Sequence, residues 1–172
     1  MRSQDVILGM LMDSSISGYD IKQNFEKLFS YFYNASYGTI YPTLSRMEKE
    51  GLITKQSFVQ EGKPNKNVYT ITQLGRKAFL EYLQSEIQNA EVKSDFMIRL
   101  FFGKWAEPAL MIRWMEEGIR KTEETLAKLR TEQEQWKDEL SPSQLICLRI
   151  GISNNEAVLA NLQEGIAQIK SI

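Results

Sequence analysis

The chain has 172 residues, of which 42% are hydrophobic and 25% charged, and its net charge is -1. This balance is ordinary for a globular protein and excludes nucleic-acid binding by bulk positive charge, so any phosphate contact must come from a local patch. The chain contains no His. That removes the commonest general base, the usual metal ligand and every Ser–His or Cys–His pair, and there is no Gly-rich phosphate loop. Neither an enzyme nor a metal or cofactor is expected. The single Cys147, in Leu145-Ile146-Cys147-Leu148, permits no intrachain disulfide and reads as a small buried apolar residue in a reducing compartment. No run approaches the roughly 20 apolar residues of a membrane span. Val6 to Met12 is too short, and lacks the basic leader, to be a secretory signal. A cytoplasmic protein with no membrane partner is expected.

Helical spacing of Val6, Ile7, Met10 and Leu11 predicts a first helix from Asp5 to about Met12. Asp13 to Gly18 reads as a turn. A second helix begins near Gly18, places Ile21, Phe25, Leu28 and Phe32 in one stripe, and ends at Asn34-Ala35-Ser36. A third runs from about Gly38 to Glu50. Ser36 or Gly38 is its cap region, Pro42 belongs near its first turn because proline lacks an amide hydrogen, and Gly51 is a stop. Leu52 to Val59 reads as a strand and Asn67 to Thr72 as another, with Tyr69 and Ile71 sharing a face. Between them Gln60 to Lys66 reads as a seven-residue turn with a basic tip. A fourth helix follows Thr72, carrying Leu74, Ala78, Phe79, Leu83 and Ile87.

The chain is expected to divide into residues 1–88 and an all-helical part, 89–172. A short apolar helix covers about Val92 to Phe102. A long one starts near Pro108 and ends before Ser141-Pro142, and another follows Pro142. Met115, Ile119, Thr122, Leu126, Leu129, Gln133 and Trp136 alternate four and three apart, as do Leu148, Ile152, Asn155, Leu159, Leu162, Ile166 and Ile169. Such steps average 3.5, the seam of a coiled coil. At about 1.5 Å per residue each helix spans on the order of 40 Å, too long to bury its stripe against the first domain. The two helices pair with each other or with those of a second copy. The homodimer interface is assigned to Met115, Ile119, Leu126, Leu148, Ile152, Asn155, Leu159, Leu162 and Ile166, with Asn155 as a polar residue that fixes register. Phe96, Trp105 and Trp114, together with Phe101, Phe102 and Trp136, are candidate walls of an effector pocket. The alternative for these aromatics is core or dimer packing.

On a helical wheel Leu44 and Met47 fall within about 40 degrees of Ile40 and form a core face. Thr39, Pro42, Ser45, Arg46 and Lys49 fall opposite, and Tyr41 and Thr43 flank. A small, polar, cationic face with an aromatic edge suits a helix in a DNA major groove, with Arg46 suited to bidentate contact with guanine. Thr39, Tyr41 and Ser45 reach base edges or phosphates on this reading, and Glu48 and Glu50 lie off the DNA. Lys63 and Lys66 bracket Pro64-Asn65 at the turn. Tyr19 either donates its hydroxyl to phosphate or packs. Residues 1–90 hold 10 Lys and Arg against 9 Asp and Glu, and residues 91–172 hold 11 against 13, a weak asymmetry in the expected direction.

Ile7-Leu8-Gly9-Met10-Leu11, Gly18-Tyr19-Asp20-Ile21, the run from Gly38 to Ile53 containing Ile40-Tyr41-Pro42-Thr43-Leu44, and Val68-Tyr69-Thr70-Ile71-Thr72-Gln73-Leu74-Gly75-Arg76 after Gly62-Lys63-Pro64 carry a resemblance. Over roughly residues 5 to 85 the chain resembles the PadR family of winged-helix transcriptional regulators, and the remainder more loosely resembles the longer PadR subfamily with a helical C-terminal domain. The resemblance implies a mainly α fold with a small β-hairpin wing: a winged helix-turn-helix domain followed by a helical dimerisation domain. It implies a homodimer on a palindromic double-stranded DNA operator, acting as a repressor released by a small aromatic or hydrophobic effector. Carried over by position, DNA contacts fall on Tyr19, Ser36, Thr39, Tyr41, Pro42, Ser45, Lys63 and Lys66. A winged-helix module that binds protein, and a DNA-binding protein without an effector, are the alternatives.

Overall fold

A computed structural model of the chain describes residues 2–28, 37–60, 62–89 and 94–171. The chain forms two compact units, Met1–Ala90 and Glu91–Ile172.

In the first unit, helix α1 spans Ser3–Met10. Its start is fixed by the Arg2 amide donating to the Asp5 carboxylate at 2.7 Å, an acidic group placed where the helix dipole favours it. Beyond its other end the Met12 carbonyl accepts from the Arg76 guanidinium at 3.0 Å. A two-residue strand β1, Ile16–Ser17, lies inside the stretch read as a turn. Its partner is distant in sequence, so no local periodicity announces it. Helix α2, Gly18–Leu28, follows. Ser17 Oγ accepts the Asp20 amide at 3.2 Å and donates to the Asp20 carboxylate at 2.6 Å, which caps the helix. The expected end at Asn34-Ala35-Ser36, and Phe32, lie outside the described residues.

A single 3-10 turn, Tyr37–Thr39, leads into helix α3, Ile40–Lys49. Pro42 thus stands in the first turn. The helix stops at Gly51, whose φ of 72° is left-handed. The Leu52 amide returns to the Met47 carbonyl at 2.9 Å and the Gly51 amide to that of Glu48 at 3.1 Å, the Schellman closure that a glycine permits. Strands β2, Ile53–Gln60, and β3, Lys63–Ile71, form the wing. The sheet is antiparallel in the order β1-β3-β2.

The expected seven-residue turn does not form. The strands continue to Gln60 and resume at Lys63, and Gly62 adopts a φ of 70°. Register slips between the pairs Phe58–Lys66 and Gln60–Lys63, so Pro64 and Asn65 oppose Val59 alone. That bulge accommodates a proline, which has no amide to give to a ladder. The segment read as a turn because its side chains are polar, yet Lys63 and Lys66 stand on a paired backbone, and Lys66 meets water from it.

Helix α4, Gln73–Gln84, starts from Thr72, whose Oγ1 accepts the Gly75 amide at 3.1 Å. The core joins Ile7, Leu8 and Leu11 of the first helix region, Ile21 and Phe25 of α2, Ile40, Leu44 and Met47 of α3, and Ile53, Tyr69 and Ile71 of the wing. On α4, Ala78 and Phe79 pack against this core, whereas Leu74 and Leu83, and Ile87 beyond the helix, are exposed.

In the second unit, α5 spans Asp95–Phe101 and is capped by Ser94, and a 3-10 turn covers Gly103–Trp105. Two helices of 29 residues follow, α6, Pro108–Trp136, and α7, Pro142–Lys170. Each opens on a proline in its first turn, and Ser141 and Gln144 form a capping box for α7. The two helices pack against each other within the chain. Of the seam residues assigned to a second copy, Met115, Leu126 and Leu162 are already buried in the single chain, with Leu129 beside them. The short connection brings α7 back as the nearest partner of α6. Gly118 and Gly165 allow close approach: a Cβ there would stand 3.1 Å from Leu162 and 3.2 Å from Met115. Asn155 and Thr122 each bond the carbonyl one turn back on their own helix, at 2.8 Å. Arg130 reaches across to Glu156 at 2.7 Å. Cys147 is exposed, contrary to expectation, because it lies one position around α7 from the seam residue Leu148.

Candidate nucleic-acid interface

The spacing that makes α3 amphipathic decides what it shows. Ile40, Leu44 and Met47 are 0% exposed, and Thr43, placed on the flank by the wheel, is also buried. Thr39, Pro42, Ser45, Arg46 and Lys49 are exposed on the other side, and Tyr41 is half exposed. Tyr19, in the first turn of α2, is exposed, and its hydroxyl accepts from Gln23 Nε2 at 3.0 Å.

Gly18 ties these two tyrosines together. A Cβ at this position would stand 3.2 Å from the Tyr41 ring and 3.2 Å from the Tyr69 ring. The start of α2 therefore sits against the first turn of α3. The chain read alone marks Gly18 only as a helix start. A glycine just inside a helix that Ser17 already caps costs helix stability, and that is the signal that points to a close approach. Tyr69 lies beneath, its phenol pushed above the ordinary value by burial against the opposing pull of Lys55, with Glu48 and Tyr41 adding to the rise.

Charge on this face is partly paired. Arg46 Nη1 lies 3.5 Å from Glu50 Oε1 and Lys55 Nζ lies 3.2 Å from Glu48 Oε2. Lys66 is exposed on the wing opposite Phe58, and Phe58 and Val59 are exposed as well. Lys63 pairs with Gln60 through the backbone, while its side chain and all of Ser36 lie outside the described residues.

The wing is clamped to the end of α3. The Leu52 carbonyl accepts the Thr72 amide at 3.0 Å, and Thr72 Oγ1 lies 2.7 Å from the Gly51 carbonyl oxygen and 3.0 Å from that of Leu52. A Cβ on Gly75 would collide with that same Leu52 carbonyl. Thr72 and Gly75 thus fix where α3 ends and where β3 hands over to α4.

The three aromatic residues assigned to an effector pocket have different surroundings. Phe96 is half-buried, its ring 3.5 Å from where a Cβ on Gly118 would be. Trp114 is half-buried under the Arg99 guanidinium at 5.9 Å. Trp105 is 82% exposed, with Lys104 5.1 Å from its ring centre. A shallow groove on α5 is lined by Met97, Ile98, Leu100 and Phe101, and none of the three contributes to it. Among the described residues no group of three or more His, Cys, Asp or Glu is placed to hold a metal ion, and no helix is long and apolar enough to cross a membrane.

A helical core that presents one polar, cationic helix face, followed at once by a two-stranded hairpin, defines a winged helix-turn-helix protein. Residues 7–81 match the Transcriptional regulator PadR-like family, and residues 92–170 match the family described as Virulence activator alpha C-term. The PadR-like regulator BC1756 of Bacillus cereus is 34% identical, with a TM-score of 0.90 over 99% of both chains. The smu.1604c protein of Streptococcus mutans is 40% identical, with a TM-score of 0.92 over 97% of this chain and 99% of its own. The chain belongs to the PadR-like family of transcriptional regulators, which are not enzymes. The Negative transcriptional regulator PadR of Bacillus subtilis is 35% identical over 97 residues, 56% of this chain and 53% of that protein, and the chain spans about half the length of the curated relatives it matches. Structures of Bacillus subtilis PadR include a complex with operator DNA, 26% identical over 96% of this chain and 98% of that one with a TM-score of 0.83, and a complex with p-coumaric acid.

Proposed function

We propose that this chain is a homodimeric repressor that lays α3 in the major groove of a palindromic operator, sets its wing on the flanking backbone, and lets go when a small aromatic or hydrophobic molecule binds. The observation that carries the reading is the exposed face of α3: Thr39, Tyr41, Pro42, Ser45 and Arg46 stand in water while Ile40, Leu44 and Met47 hold the helix to the core. Gly18 brings Tyr19 alongside, so base and phosphate contacts come from neighbouring helix starts. Lys66, with Lys63 and Ser36 assigned by resemblance, completes the set. The operator complex of Bacillus subtilis PadR supports DNA as the partner, the negative regulation in that relative's name supports repression, and its p-coumaric acid complex supports the class of effector.

Dimerisation is proposed through the second unit. Ile146, Ile150 and Val158 are exposed apolar residues on α7, and half-buried Ile119, Leu148, Ile152, Asn155, Leu159 and Ile166 border the intrachain seam. Work on chromosomal DNA places the protein in the cytoplasm on this reading.

The test is a gel shift against duplexes selected from random DNA, with Tyr41→Ala and Arg46→Ala beside the wild type. Both variants should lose at least about tenfold in affinity, the scale of one good base contact, while keeping the wild-type sedimentation coefficient. Unchanged affinity in both would remove α3 as the reading helix. A partner that is a protein instead of DNA would show itself by weak dependence on salt.

A further inference from the structure

Antiparallel pairing sorts the wing into two faces. Directly opposed residues project to the same side, and the side alternates along each strand. The pairs Ile53–Ile71 and Lys55–Tyr69 share an inner face. Ile53, Tyr69 and Ile71 are buried there in the core that also holds Ile40, Leu44 and Met47 of α3. Two residues further out, about 7 Å along the strands, the pair Ser57–Asn67 lies on that same face. The pairs Gln56–Val68 and Phe58–Lys66 lie on the outer face. Ser57 and Asn67 are exposed, so the inner face runs out past the core. It also borders α3, since Lys55 Nζ meets Glu48 Oε2 at 3.2 Å. The ammonium there offsets a carboxylate that would repel phosphate. Ser57 Oγ donates to Asn67 Oδ1 at 2.7 Å, which turns the Nδ2 donors of Asn67 away from Ser57.

We propose that Asn67 is a phosphate-binding residue, whose amide holds the DNA backbone that passes between α3 and the inner face of the wing. The inference rests on the reading of α3 as the major-groove helix. A helix lying in that groove is bordered by a phosphate backbone on each side. On the wing side, the backbone enters the angle between the exposed flank of α3 and the overhanging Ser57–Asn67 pair. Lys66, nearer the tip, serves the wing from its outer face. A neutral donor of this kind contributes about threefold to tenfold in affinity and reads no sequence. It carries no charge, so it displaces no counterion. A cation at the same position would displace one, whereas a cation on the outer face beside it would not.

The experiment measures the affinity of the full chain for a random-sequence duplex and for a duplex selected from a random pool, across a range of salt. Wild type, Asn67→Ala, Asn67→Lys and Gln56→Lys are compared. Asn67→Ala should weaken both duplexes about threefold to tenfold and leave the salt slope unchanged. Asn67→Lys should tighten both about threefold or more at low salt and steepen the slope by about one, the signature of one added ionic contact. Gln56→Lys adds the same charge on the outer face, and should shift both by less than about twofold with no change of slope. Melting temperatures should match the wild type, and the gain in Asn67→Lys cannot come from a damaged fold. Equal tightening by the two lysines would mean general attraction and overturn the proposal. So would an unchanged affinity in Asn67→Ala, or a loss confined to the selected duplex. A wild type that binds neither duplex would instead overturn the reading of α3, and this inference with it.

Discussion

In the first unit, Ile7, Leu8, Ile21, Ile40, Leu44 and Met47 are all fully buried, drawn from three short helices. In the second unit the two helices of 29 residues contribute, among the described residues, only Met115, Leu126, Leu129 and Leu162 as buried hydrophobic residues, and of these Leu129 alone is almost fully buried. Meanwhile Ile146, Ile150 and Val158 on α7 and Met97, Ile98 and Phe101 on α5 face water. Short helices and the wing enclose a core, whereas two long helices only make a seam. The first unit closes a core within one chain, although Leu74, Leu80 and Leu83 of α4 are exposed. The exposed apolar residues of the second unit are the surface through which a dimer is proposed.

The contrast is sharpest in what single substitutions should do. Leu44→Ala opens the closed core and should cost about 3–4 kcal/mol, read by urea unfolding. Leu129→Ala in the seam should cost about 2–3 kcal/mol, the lower end of that range, because an open seam collapses more easily around the gap. Its transition should also fall in temperature on dilution, as the proposed dimer requires, while the Leu44→Ala loss stays independent of concentration. Concentration independence in both would erase the contrast. Gly75→Ala, which drives a methyl into the Leu52 carbonyl, should cost about 1–3 kcal/mol and splay the wing, visible as lost amide protection along β3. Gly151→Ala is the smallest effect and has the opposite sign. A Cβ there meets Leu129 at 3.6 Å, an ordinary contact, so helix propensity should stabilise the second unit by about 0.5–1 kcal/mol in a melt.

What could be read from the chain follows the same division between local and distant causes. The face of α3 was legible because Ile40, Leu44 and Met47 recur at helical spacing, Pro42 marks the first turn, and Gly51 takes the left-handed stop. The seams of α6 and α7 were legible as seams, but the sequence spacing is the same whether the partner is the other helix or a second copy. The structure puts α6 on α7. Strand β1 was illegible, since two residues take their conformation from Val68 and Tyr69, some fifty positions on. The wing was drawn too short because Lys63 and Lys66 have turn-like side chains on a paired backbone. Gly18 was read as a helix start and Gly75 only as part of the resemblance, and only the fold reveals what a methyl on each would strike. Thr43 and Cys147 were each misplaced by one step around a helix.

The central claim is that α3 reads DNA in pairs, and a cleavage-protection footprint on a selected duplex tests it most directly. Two symmetric protected patches with centres about one helical turn, or a whole number of turns, apart are the predicted result. A single asymmetric patch, or no protection at concentrations that saturate the gel shift, would contradict it.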